Sequence, residues 1–124
     1  MIALANVFPY RTFRDFAVST SRNYVAIGDN GLIVRSSDAG ATWTIEQSGT
    51  SNTLYKVAFI SSNEGYAIGT SGTLLHTTDG GTVWQSESTG TDNTFLSGYF
   101  ASNHAWLVGA NGMILTGGAI VPLP

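Results

Sequence analysis

The sequence predicts an all-β chain built from three copies of a four-stranded unit, and three observations predict it. First, "VAIGDNGLIVRSSDAG" from Val25, "YAIGTSGTLLHTTDGG" from Tyr66 and "WLVGANGMILTGGAIV" from Trp106 share an apolar run, a G-x-x-G and a second apolar run. Their paired glycines are Gly28 and Gly31, Gly69 and Gly72, Gly109 and Gly112, so the repeat steps are 41 and then 40 residues. Second, an upstream apolar stretch recurs at a spacing of 41 both times: "TFRDFAV" from Thr12, "TLYKVAF" from Thr53 and "TFLSGYF" from Thr94. Third, the apolar runs are four to seven residues long, rich in Val, Ile, Phe, Tyr and Thr, and bounded by Gly, Asn, Asp and Ser. No segment carries a helix-length pattern of period 3.6.

Taken in order through the middle repeat, the first strand runs from about Thr53 to Phe59, the second from about Gly65 to Gly69 and the third from about Thr73 to Thr78. The fourth begins at Trp84. The "GTSG" joint between the second and third strands predicts a tight hairpin, because glycine supplies the positive φ of the primed turns. Four strands in about 41 residues match the size of one β-propeller blade. The chain therefore divides into repeats at about 12–52, 53–93 and 94–124, with residues 1–8 as a further strand.

Composition bounds what such a chain does. Of its 124 residues 43% are hydrophobic and only 10% charged, which fits a globular chain and excludes disorder. The net charge is −3 and Lys56 is the only lysine, so there is no basic stripe for nucleic acid. There are no cysteines, which excludes disulfides and thiolate metal sites and leaves the redox compartment open. The N-terminal "MIALANVFPYRTFRDF" lacks the basic start and long apolar run of a signal peptide, and no stretch approaches the roughly 20 apolar residues of a membrane span. The expectation is a protein with no membrane partner and an unassigned compartment, its low charge suiting an extracellular or virion surface.

Between third and fourth strands lies a recurring turn, "SSDAGATW" at 36–43 and "TTDGGTVW" at 77–84. Asp79 is placed to accept hydrogen bonds from the backbone N–H groups of its own turn, Gly81 to adopt a left-handed conformation, and Thr77 to close the turn with its hydroxyl. Trp84 then opens the last strand with its ring in the blade packing. These residues resemble the Asp-box, or BNR-repeat, β-propellers, whose turn reads Ser/Thr-x-Asp-x-Gly-x-Thr-Trp. Ser36, Asp38, Gly40, Thr42 and Trp43 match it; so do Thr77, Asp79, Gly81 and Trp84, with Val83 in place of the threonine. With the G-x-x-G hairpin added, the closest resemblance is to the photosystem II stability and assembly factor-like propellers. The resemblance implies that the box is a structural staple on the outer part of the blade, away from the channel where propellers bind ligands.

A third box would place its hydroxyl near Gly117, its Asp near Ala119 and its Trp near Pro124, and none of those chemistries is present. One period back from Trp43 lies Ile2, where the fourth strand of a preceding blade belongs. The expectation is three blades opened at this turn, with residues 1–8 pairing head to tail with a second copy and two chains closing a six-bladed ring. A trimer of nine blades is the alternative, outside the usual four to eight.

Catalysis is not expected. The resemblance includes sialidases, which need three converging arginines, a tyrosine nucleophile with its glutamate, and an aspartic acid. Arg11, Arg14, Arg22 and Arg35 all fall in the first repeat or its lead-in, and Tyr66, two residues from Glu64, aligns with the core positions Val25 and Trp106. His76 and His104 occupy different strand positions, so neither a shared metal site nor any cofactor is expected. The binding candidates are Asp15 and Lys56, which align with Ser97 on the innermost strand, and Arg14 and Tyr55, aligned toward the mouth with Arg11 just before them. Asp15 and Lys56 are expected to pair across blades. The reading is a non-catalytic interaction or structural module, with a glycan-binding propeller as the alternative.

Overall fold

The structure, a computed structural model, describes residues 4–101, 104–109 and 114–117. Three antiparallel meanders follow one another along the chain. The first contains β1 (Phe13–Val18), β2 (Tyr24–Gly28), β3 (Ile33–Ser36) and β4 (Thr44–Glu46). The second contains β5 (Leu54–Phe59), β6 (Gly65–Gly69), β7 (Leu74–Thr77) and β8 (Gln85–Ser86). The third shows β9 (Phe95–Ala101), β10 (His104–Gly109) and β11 (Ile114–Gly117), three strands among the described residues. Residues 118–124, where the Asp and Trp of a third box would fall, and Gly112 of the last G-x-x-G lie outside the described residues.

Strand alternation gives every sheet two apolar faces, so the sheets stack and each core forms between neighbours. Between the first and second sheets, Val25, Ile27 and Ile33 meet Leu54, Val57, Ala67, Leu75 and Trp84. Between the second and third, Tyr66, Ile68 and Leu74 meet Phe95, Phe100 and Leu107.

The G-x-x-G turns divide the labour between their two glycines. Gly72 has φ +72 and Ser71 before it has φ 57, the paired left-handed residues of a primed turn. Gly69 is extended, and its reason is space: a Cβ there would lie 1.9 Å from the Thr53 carbonyl oxygen. That carbonyl accepts the N–H of Thr70 at 2.9 Å, as Thr12 accepts that of Asp29 at 3.0 Å. The turn is thereby pinned to the start of its own blade's inner strand.

Residues 4–8 do not form the expected strand, and residues 1–3 of that segment lie outside the described residues. Leu4–Val7 form one helical turn, α1, closed by the Phe8 N–H donating to the Leu4 carbonyl at 2.7 Å. Leu4 and Phe8, four residues apart, share a face of that turn and cover the buried Ala26, Leu32 and Val34 beside Phe13 and Trp43. The apolar face of the first sheet takes this segment, and helical spacing lets two large side chains reach it together. Pro9 ends the turn.

Candidate interaction surface

Each innermost strand carries a β-bulge at the same place. The β1–β2 register slips between Phe13 and Asp15, β5–β6 between Leu54 and Lys56, and β9–β10 between Phe95 and Ser97. The unpaired residues are Arg14, Tyr55 and Leu96, one per blade. A bulge re-aims the side chain of its extra residue, so one irregularity repeated three times presents a row of three side chains across successive blades.

Within that row the Arg14 guanidinium lies 5.7 Å from the centre of the Tyr55 ring. It also grips Asp29 of the first G-x-x-G turn, Nε to Oδ1 at 2.7 Å and Nη2 to Oδ2 at 3.3 Å. The hydrogen bond from Arg14 holds the Asp29 carboxyl below its ordinary range, and the same bond raises Arg14. Both groups are solvent-exposed, so the pair orients the arginine more than it stabilises the fold. Sequence reading aligned Arg14 with Tyr55, and the structure brings them together. Asp29, which fixes their geometry, was missed because it sits in a turn whose glycines drew the attention.

Asp15 and Lys56 do not form the expected interblade ion pair. Asp15 Oδ2 instead accepts the backbone N–H of Val57 at 2.9 Å, and Lys56 makes no ion pair among the described residues. The bulge at Leu54/Lys56 brings the inner strand of the second blade within reach of the shorter aspartate side chain. Arg11 borders an open depression of about 350 Å³ with Asn30, Glu46 and Ser48, so the turn that supplies Asp29 to Arg14 also lines the ground in front of Arg11.

The two boxes form as the sequence predicts and serve structure. In the first, the Ser36 hydroxyl donates to Asp38 at 2.7 Å and accepts the Gly40 N–H at 2.8 Å, while Asp38 accepts the N–H and hydroxyl of Thr42. The hydroxyl and N–H of Thr42, with the Ser36 hydroxyl, lower the Asp38 carboxyl to about 2. In the second, the Thr77 hydroxyl donates to Asp79 at 2.9 Å and accepts the Gly81 N–H, and Asp79 accepts the N–H groups of Thr82 and Val83 at 3.1 and 3.0 Å. Burial pushes Asp79 up, but the Val83 N–H, the Thr77 hydroxyl and the Thr82 N–H outweigh it and the net direction is down. Trp43 and Trp84 donate their indole N–H to the carbonyls of Gly40 and Gly81. The second box is also tied to the first blade, where Asn23 Nδ2 donates to the Gly80 carbonyl at 2.6 Å.

Tyr66 is a core residue. It is buried between the His76 and Phe100 rings, at centroid distances of 4.4 and 4.9 Å, and its hydroxyl donates to Glu64 at 3.2 Å. Burial first, and then the Glu64 carboxylate, push its hydroxyl pKa well above the ordinary range, the wrong direction for a nucleophile. His76 contacts both Glu64 and Glu87, so its partners are local. Arg14 and Arg35 are each held by their own acid, Asp29 and Glu46. No group of three or more His, Cys, Asp or Glu able to hold a metal occurs among the described residues. Nor is any helix among them long and apolar enough to cross a membrane.

Stacked four-stranded meanders, interblade cores and a hydroxyl–Asp–Gly–Trp turn closing the first two sheets define an arc of an Asp-box β-propeller. Comparison with known proteins narrows the class. The chain belongs to the family described as photosynthesis system II assembly factor YCF48, whose sequence profile matches residues 5–76 and again 47–119. Comparison with curated proteins gives no match. Among solved structures, YCF48 bound to a D1 peptide superposes with a TM-score of 0.74 at 22% identity, over 87% of this chain and 36% of the other. YCF48 from Cyanidioschyzon merolae gives 0.72 at 15% identity, over 88% of this chain and 38% of that one. At these identities the likeness concerns the fold, and the chain spans under two-fifths of the length of either structure.

Proposed function

We propose that the chain is a non-catalytic propeller module that binds an extended segment of another protein across the bulge row of Arg14, Tyr55 and Leu96, and that it completes its ring by self-association, two chains giving six blades. The observation that carries the binding reading is the threefold bulge, which places a cation, an aromatic ring and an aliphatic side chain side by side at the same level of successive blades. Such a row suits an extended peptide, whose side chains meet successive blades in turn. A solved relative in fold is a complex with a peptide, which supports the same use of the architecture. Asp15 and the depression beside Arg11 lie next to this surface, and Lys56 follows Tyr55 directly.

The test is an immobilised peptide library probed with the labelled chain. Peptides captured by the wild type should lose at least tenfold in signal with the double variant Arg14→Ala/Tyr55→Ala, while Thr82→Ala, on the outer turn, keeps it. A library that captures nothing, or capture unchanged in the double variant, would sink the peptide reading.

A further inference from the structure

We infer that Lys56 and the backbone N–H of Gly98 form a binding point for a carboxylate at the inner edge of the contact between the second and third blades, and that its occupant is a carboxylate of the bound segment. The identity of the occupant rests on the segment binding proposed above; the binding point itself does not.

The contact between the first and second blades shows what fits there. The Asp15 side chain crosses to the second blade, and its Oδ2 accepts the Val57 N–H at 2.9 Å. Val57 pairs with Ala67 of β6, and β5 is the edge strand of its sheet. Along such an edge alternate N–H groups point away from the ladder, and that of Val57 is one of them.

The next contact repeats this geometry with one residue changed on each side. One period on, Lys56 stands for Asp15 and Gly98 for Val57. Ala17, two residues after Asp15, packs on the core shared with the second blade, and Ala58, two residues after Lys56, packs on the core shared with the third. Strand alternation therefore aims Lys56 at the third blade as Asp15 is aimed at the second. Gly98 pairs with Leu107 as Val57 pairs with Ala67, and β9 is again the edge strand, so the Gly98 N–H points away from the ladder as well.

Where the first contact holds a carboxylate and an amide, the second thus holds an ammonium and an amide: two donors and no acceptor. A lysine has no acceptor to give an N–H. Lys56 is half-buried and takes part in no ion pair among the described residues. Val57 is 3% exposed, whereas Gly98 is half-buried and has no side chain to shield its amide. A cation beside an accessible N–H calls for an anionic acceptor, and hydrogen bonds with an ionised partner are the stronger kind. The anion that the fold itself places at the equivalent point is a carboxylate. Lys56 follows the bulged Tyr55 and faces the blade that carries Leu96, so a segment crossing the bulge row passes this point. Arg14, the cation within the row, already has its charge matched by Asp29.

The Gly98 amide reports on the point directly. Sodium acetate, with sodium chloride at equal ionic strength as the reference, is titrated into the isotope-labelled full chain while the backbone amides are followed by NMR. The Gly98 amide should shift far more than that of Val57, which already has its carboxylate, and the response should vanish in Lys56→Gln. Lys56→Asp supplies the acceptor from within: its Gly98 amide proton should move downfield without acetate, acetate should add nothing, and its denaturant midpoint should exceed that of Lys56→Gln. A Gly98 amide that ignores acetate, responds equally in Lys56→Gln, or stays unmoved in Lys56→Asp overturns the binding point. The occupant is read on captured peptides, by replacing acidic side chains with their amides and, separately, by amidating the C-terminus. One of these two changes should lower capture about tenfold, as the loss of one charge-assisted hydrogen bond does, and Lys56→Gln should do the same. The change that matters tells a side-chain carboxylate from a terminal one. Capture indifferent to both overturns the occupant and leaves the binding point standing. A library that captures nothing overturns the segment reading and the occupant with it, while the acetate titration still decides the binding point.

Discussion

The carboxylate of Asp15, on the inner strand of the first blade, accepts the backbone N–H of Val57 in the second blade at 2.9 Å. It lies beside the apolar interblade core and satisfies an amide whose own side chain is buried. Removing the acceptor strands that amide, which costs about 1–3 kcal/mol. Asp15→Ala should lower the unfolding free energy by that amount, read as a lower denaturant midpoint at an unchanged slope. Asp15→Asn keeps an acceptor oxygen and should lose less than half as much. Equal losses would show that the charge, not the hydrogen bond, matters.

The Asp-box carboxylates predict the response to acid. Asp38 titrates at about 2 in the folded chain against an ordinary 3.8, and Asp79 and Asp29 are lowered too. A depressed carboxylate stabilises the fold fully above its unfolded value, and that contribution is lost as pH falls through the folded value. Stability should thus be flat above about 5 and fall between about 4 and 2. Asp38→Asn should flatten part of that fall, because the titrating group is gone. An unchanged slope in denaturation measured across that window would contradict the assignment.

Among the pattern positions the second box departs from the turn motif at one, where Val83 stands for threonine, and the difference is testable. Thr42 gives Asp38 a hydroxyl as well as an N–H, while Val83 gives Asp79 only its N–H and leaves an aliphatic side chain 54% exposed. Val83→Thr restores the missing donor on an exposed turn. It should stabilise the chain by about 0.5–1 kcal/mol and draw the Asp79 pKa further down. A carbon-detected carboxylate titration, read beside the thermal midpoint, checks both; a variant less stable than the wild type would contradict the first.

The sequence was most legible where chemistry repeats. Paired glycines at a constant step, β-rich runs between turn residues and two hydroxyl–Asp–Gly–Trp turns predicted the strand order and the partners of Ser36, Asp38, Thr77 and Asp79. The expected second strand, Gly65 to Gly69, is β6. What repetition does not carry was less legible. Residues 4–8 carry neither a G-x-x-G nor a box signature, and their place is set by the face offered by Ala26, Leu32 and Val34. The bulges were invisible because a register slip leaves the alternation of apolar residues nearly intact, so Lys56 was read as a partner for Asp15 when the Val57 amide takes that place. Gly69 was assigned to the turn for its φ, yet its backbone is extended and the constraint is a carbonyl oxygen.

That carbonyl makes the final prediction the sharpest. A Cβ on Gly69 would sit 1.9 Å from the Thr53 oxygen, and that oxygen is already held by the Thr70 N–H, so the inner strand cannot withdraw without breaking the turn's anchor. Gly49 is the contrasting case: its φ is +78, but a Cβ there meets nothing within 4 Å. Gly49→Ala should therefore cost only the left-handed conformation, about 1 kcal/mol. Gly69→Ala must displace backbone and should cost more than about 3 kcal/mol, enough to unfold a marginal domain. Because outright failure to fold is the expected extreme, the comparison is best read by proteolysis of freshly translated chains, where Gly49→Ala survives and Gly69→Ala does not. Equal survival would mean that φ alone selects these glycines and that the close approach to the inner strand is not what fixes the turn.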